Sequence, residues 1–192
     1  MVFLYKTAKV YGTFLKLLGY ERGTRSFIDR LDLSVPKGAR VLDIACGSGV
    51  VGLRLLERIP KSTLVATDLE KNFLKETLSN ARDRGLDERR ITVGLSDITN
   101  PEQVTLLDGS SLLLAERSFD IVAVGGSMGY SRDQVATLKA ICGLIKPGGY
   151  LINLEMNEKP AGIVVATWYN CRPLHSSLMI RTIENEGHSV TV

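Results

Sequence analysis

The stretch over residues 40–56, RVLDIACGSGVVGLRLL, sets the tightest limit on how this chain can fold. Residues 41–44 form an apolar run of strand length, Gly47, Gly49 and Gly52 follow as a glycine-rich turn, and residues 50–56 open a helix. Such a strand–turn–helix junction lets a ligand reach main chain. Glycine accepts positive φ, and the amides of a helix's first turn have no intrahelical partner. The loop therefore has the chemistry of a nucleotide-type site.

Glycine spacing alone would be a weak sign, but the neighbouring residues strengthen it. Asp43 sits four residues before Gly47, inside an apolar strand where an acid is costly unless hydrogen bonded. A second strand over residues 63–67 ends in Asp68, 21 residues past Gly47. At that spacing an acid can accept from both hydroxyls of a ribose without a 2′-phosphate. Asp97 closes a third strand over residues 91–94 and could accept from an exocyclic amine such as that of adenine. The plain alternative for Asp68 and Asp97 is a helix cap or a turn residue.

The remaining pattern is mostly alternation. Apolar periodicity predicts helices over residues 3–20, 24–33, 50–58, 69–84 and 134–144, and Pro101 predicts a helix over 101–107. Residues 119–124 are an uninterrupted apolar strand running into Gly125, Gly126, Ser127, Met128 and Gly129. Lys146-Pro-Gly-Gly149 predicts a turn into a strand over 150–154. Five strands alternating with helices predict an α/β, doubly wound, mainly parallel sheet with helices on both faces. Beyond it, 161–169 reads as a helix weakened by β-branched residues, 176–186 as a clearer helix and 188–192 as a short final strand.

At 192 residues with 44% hydrophobic content, the chain suits a single domain. It divides into a helical cap over 1–35, a ligand-binding core over 36–155 and a tail over 156–192. A net charge of +3 is too small and dispersed to argue for nucleic acid or an anionic membrane. Cys46, Cys142 and Cys171 show neither a zinc pattern nor a paired framework and read as reduced thiols; no metal is expected. No apolar run reaches the roughly 18 residues of a membrane span, so a cytoplasmic location is expected.

VLDIACGSG, the acid in ATD68, the SD97I element, FDIVAVGG and IKPGGYLI together resemble the class I S-adenosylmethionine-dependent methyltransferases over residues 36–155. The resemblance implies the Rossmann-like methyltransferase fold, with six parallel strands and one reversed, and S-adenosyl-L-methionine as cofactor. It implies cofactor contacts from Asp43, Ala45, Cys46, Gly47, Ser48 and Gly49 near the methionine part. Asp68 would take the ribose hydroxyls and Asp97 with Ile98 the adenine, with Leu69, Phe73 and Ser96 also on the cofactor. Gly125, Gly126 and Ser127 would lie beneath the sulfonium end. Tyr5 and Tyr11 of the leading helix would close over the ligand, unless they are simply core aromatics. The competing nicotinamide reading fits less well, because Asp43, Ala45 and Cys46 interrupt the run from strand to first glycine.

Methyl transfer from a sulfonium needs alignment more than a catalytic side chain, and a base only where the acceptor must lose a proton. Tyr130, Glu155 and His175 are the candidates for such a role, with Asn157 beside them. A small-molecule acceptor is expected, because neither an Asn/Asp-Pro-Pro-Tyr/Phe motif nor a Pro-Cys nucleophile is present. An apolar or aromatic hydroxyl compound suits the scarcity of charge over residues 125–130. The alternatives are a non-methylating cyclisation or rearrangement on the same ligand and a non-catalytic, methyltransferase-like subunit. The short tail departs from the family, which usually ends in an antiparallel strand pair. A missing strand would leave an unpaired sheet edge, through which a homodimer could form.

Overall fold

The computed structural model describes residues 20–156, 158–169 and 171–191. Apart from Tyr20, the expected leading helix lies outside the described residues, and so do Tyr5, Tyr11 and Asn157.

Seven strands form one sheet: β1 (Arg40–Ile44), β2 (Thr63–Asp68), β3 (Ile91–Leu95), β4 (Gln103–Leu106), β5 (Ser111–Leu113), β6 (Phe119–Gly125) and β7 (Ile145–Leu154). Their order is β5-β4-β3-β2-β1-β6-β7. From β3 to β7 every neighbouring pair is parallel, whereas β4 runs against both β3 and β5. The helices are α1 (Tyr20–Arg30), α2 (Val50–Arg58), α3 (Lys71–Asp83), α4 (Gln134–Gly143), α5 (Pro160–Tyr169) and α6 (Ser176–Asn185).

The continuous apolar strands are explained by a core on each side of the sheet. On β1 and β6, Val41, Ile121 and Ala123 join one cluster with Val51, Leu55 and Leu74 of α2 and α3. Their strand neighbours Leu42, Val122 and Val124 join another with Leu138 and Ile141 of α4 and Met179 of α6. Alternation along each strand feeds both layers.

Three expectations need correction. Residues 101–107 are not a helix: Val104 is buried between exposed Gln103 and Thr105, a period of two, and the segment is β4, hairpin-paired with β5. No strand occurs over residues 188–191, so the tail adds helices but no strand among the described residues. The reversed strand is therefore β4, beside β3, while β7 is the last strand at the opposite edge. Finally, the Lys146–Gly149 turn lies within β7, which begins at Ile145 and shifts register against β6 between Phe119 and Ile121.

The connections through α2 and α3 carry the chain from β1 outward to β2 and β3, and the chain then returns to add β6 and β7 on the other side of β1. The order thus reverses between β1 and β6. In open α/β sheets the crevice beyond the carboxyl ends of the strands at such a point is where ligands bind.

Candidate functional site

The glycine loop leaves β1 through Ala45, whose φ of 52° is left-handed and costs a non-glycine residue about 1 kcal/mol. Gly47 and Gly49 follow with φ of 55° and 78°, so the main chain doubles back, and Gly49 is the N-cap of α2. Beneath the loop, Asp43 is 2% exposed, and its Oδ2 accepts from the Gly52 amide at 2.8 Å. Burial pushes the Asp43 carboxyl up to about 7; the Gly52 bond opposes the rise and the Asp68 charge adds to it. The same burial, with the charges of Asp43 and Asp68, raises the Cys46 thiol far enough to keep it protonated and unreactive.

Asp68, at the end of β2, joins this loop directly. Its Oδ2 accepts from the Gly47 amide at 2.9 Å, and its Oδ1 accepts from the Glu70 amide at 2.9 Å. Burial raises its pKa against the pull of these two amides. Leu69 beside it is 68% exposed, an apolar surface at the mouth of the crevice, whereas Phe73 is 3% exposed. Ser96 bonds through its amide to the Asp68 carbonyl at 3.1 Å, which aligns the ends of β2 and β3. Asp97 is exposed, and its Oδ1 accepts from the Thr99 amide and hydroxyl at 2.8 Å each, a side-chain turn. Ile98 packs toward the α4 side of the core.

At the far side of β1, Gly126 takes φ of 68°, and its amide donates to the Leu154 carbonyl at 2.9 Å. Glu155 follows Leu154, and its Oε1 accepts from the amides of both Ser127 and Met128 at 3.0 Å. Burial pushes this carboxyl up to about 7, opposed by the two amides. Tyr130 closes the short turn Met128–Tyr130 and is 44% exposed. His175 is exposed at the N-terminus of α6, where its carbonyl accepts from the Leu178 and Met179 amides. The loop after β6 is thus tied to Glu155, not to His175. Gly129 lets the tail close in: a Cβ there would lie 2.4 Å from the Arg172 carbonyl oxygen.

Sequence reasoning missed two residues of α3 that fasten the loop. Thr77 Oγ1 donates to the Gly47 carbonyl at 2.9 Å, and Asn80 Nδ2 donates to the Ser48 carbonyl at 2.9 Å. Thr77 also fills the space a side chain on Gly49 would need, its Cγ2 lying 2.7 Å from that Cβ position. Both sit one or two turns inside an ordinary helix, and nothing local in the sequence marks them.

Known proteins resemble this chain in sequence and in fold. A family model described as a methyltransferase domain matches residues 36–186. A demethylmenaquinone methyltransferase of Bacillus velezensis is 29% identical over 129 residues, covering 66% of this chain and 49% of its own. The chain spans about half the length of the curated relatives it matches. Among solved structures, an O-methyltransferase family protein from Burkholderia thailandensis superposes with a TM-score of 0.71 at 16% identity, over 96% of this chain and 55% of that one. The geranyl diphosphate C-methyltransferase of Streptomyces coelicolor, solved with S-adenosyl-L-homocysteine, gives 0.67 at 14% identity, over 86% and 60%. These two show the shared fold. With the family model spanning most of the chain, from before the glycine loop to the end of α6, the protein belongs to the class I S-adenosylmethionine-dependent methyltransferases.

Proposed function

We propose that the chain binds S-adenosyl-L-methionine across the carboxyl ends of β3, β2, β1 and β6 and transfers its methyl group in line to a small-molecule acceptor held beside β6 and β7. The observation that carries this reading is the bond between Asp68 and the Gly47 amide, which joins the acid at the end of β2 and the glycine loop in one unit. Each Asp68 oxygen is engaged by one amide and keeps a second lone pair, so two ribose hydroxyls can be accepted at once. The exposed Leu69 offers an apolar surface for the base, with Ser96, Asp97 and Ile98 beyond it on β3. The main chain from Ala45 to Gly49 and from Gly125 to Ser127 flanks the reversal point, where the methionine part would lie.

When bound, the cofactor supplies a methyl group that is already electrophilic. What the chain's residues contribute is orientation and exclusion of water, and orientation can be worth roughly 7–11 kcal/mol in favourable cases. Met128, fully buried, and the uncharged run GGSMGYS over residues 125–131 support an apolar acceptor. The relative named for demethylmenaquinone and the fold neighbour solved with geranyl diphosphate support the same class. No helix among the described residues is long and apolar enough to cross a membrane, which agrees with a cytoplasmic enzyme. The β7 edge, unpaired among the described residues, would serve a homodimer; a monomer by light scattering at high concentration removes that part.

Calorimetry with S-adenosylmethionine, S-adenosylhomocysteine and NAD tests the reading. Binding of both sulfur ligands supports it, and binding of neither overturns it. Accumulation of the demethylated product during turnover separates methyl transfer from cyclisation or rearrangement.

A further inference from the structure

Among the described residues, three buried side-chain oxygens at the carboxyl ends of β6 and β7 have no hydrogen-bond partner: Ser127 Oγ, Asn153 Oδ1 and Glu155 Oε2. Asn153 lies opposite Val124 in the β6–β7 register, and Glu155 is clamped to the Ser127 and Met128 amides through its other oxygen. A buried acceptor left unpaired costs about 1–3 kcal/mol. Two of these atoms can only accept, if the carboxylate is ionised, and the third can do either. The cluster is therefore complementary to a ligand that brings a hydrogen-bond donor. It lies on the side of β1 away from Asp68, where an acceptor would meet the methyl end of a ligand anchored at β2.

Resting on the methyl-transfer reading, we propose that the acceptor is a compound whose reacting atom carries hydrogen, an aromatic hydroxyl, and that Glu155 Oε2 receives its proton. In that step a lone pair on the acceptor oxygen forms the bond to the methyl carbon. The carbon–sulfur bond breaks with its electron pair going to sulfur, which becomes a neutral thioether. The O–H proton passes to Glu155 and then to solvent.

The setting suits a base. Burial holds the Glu155 carboxyl at about 7, close to the working pH at which proton transfer is most effective. Burial, and after it the Glu155 charge, raises the thiol of Cys171, from the segment after α5, so it stays protonated and does not compete. The loop after β6 favours an arene, since residues 125–131 carry no charged side chain and the nearby Arg172 guanidinium is taken up by the Ser131 carbonyl at 3.0 Å.

The test is Glu155→Gln assayed with two probes, 1-naphthol, whose hydroxyl is protonated at neutral pH, and 4-nitrothiophenol, whose thiol is already ionised there. Glutamine can still accept from the Ser127 and Met128 amides but cannot act as the base. The expected result is a loss of about 10²–10⁴-fold in kcat/KM for 1-naphthol and only a few-fold loss for 4-nitrothiophenol. In the wild-type protein, kcat/KM for 1-naphthol should rise with pH through about 7 while that for the thiolate stays flat, a readout that holds even if the variant does not fold. Equal losses for both probes, or a flat 1-naphthol profile, would mean that Glu155 is a structural clamp. Failure to turn over 1-naphthol while S-adenosylmethionine binds overturns the acceptor class, and failure to bind S-adenosylmethionine overturns instead the reading on which it rests.

Discussion

Asp43 and Gly52 fit each other across the start of α2: the Asp43 Oδ2 accepts the Gly52 amide at 2.8 Å, and a Cβ on Gly52 would lie 2.7 Å from that same oxygen. The acid needs the amide because it is buried, and the amide can approach because residue 52 has no side chain. Through this pair the loop, the strand and the helix hold one geometry.

Gly52→Ala should therefore destabilise the fold even though alanine is the better helix former. The added methyl also meets Leu64 Cδ1 at 2.9 Å, inside the core. Overpacking of this kind costs about 1–3 kcal/mol, which a denaturant titration reads as a lower midpoint. A midpoint equal to or above that of the wild type contradicts the tight fit.

The pH dependence of stability has a definite sign. Asp43 and Glu155 titrate at about 7 in the folded protein, against about 4 when unfolded, so the folded state holds the extra protons between those values. Their contribution is fully present below about pH 4 and is lost as pH rises through about 7. The slope approaches 1.4 kcal/mol per pH unit for each proton. Asp43→Asn should leave a smaller drop in melting temperature between about pH 5 and about pH 7 than the wild type shows, with Glu155 and Asp68, whose carboxyl burial also raises, supplying the remainder. An unchanged drop would mean that Asp43 is ionised throughout.

Thr77→Val keeps the shape of the side chain and removes the donor to the Gly47 carbonyl. Losing that bond should cost about 1–2 kcal/mol, and the loop's affinity for S-adenosylhomocysteine should fall about 5–30-fold. Calorimetry on the variant checks it, with circular dichroism to show that the fold is kept. Unaltered affinity would mean that Asn80 and Asp68 hold the loop without it.

The reversal point between β1 and β6 was legible because it rests on local pattern: apolar strands of the right length, glycines after β1, and acids or glycines closing the others. The hairpin of β4 and β5 replaces the helix that Pro101 predicts. The better signal was present in Asp108-Gly109, with Gly109 at φ of 90°, between segments that alternate as Gln103, Val104 and Thr105 do. The absence of a strand over residues 188–191 could not be read from so short a segment, since pairing depends on a neighbouring edge. Thr77, Asn80 and the double clamp by Glu155 were out of reach for a different reason. Their partners lie 27 to 32 residues away and meet them only after the sheet forms.

The central claim is that Asp68 and the glycine loop bind an adenosine ligand through its ribose. It is tested most directly by titrating S-adenosylhomocysteine into the wild-type protein and into Asp68→Ala, with the melting transition of each recorded alongside. Two hydroxyl bonds to a carboxylate, at about 1.5–3 kcal/mol each, predict at least a tenfold loss of affinity in a variant that still unfolds cooperatively. Equal affinity in the two proteins would contradict the account.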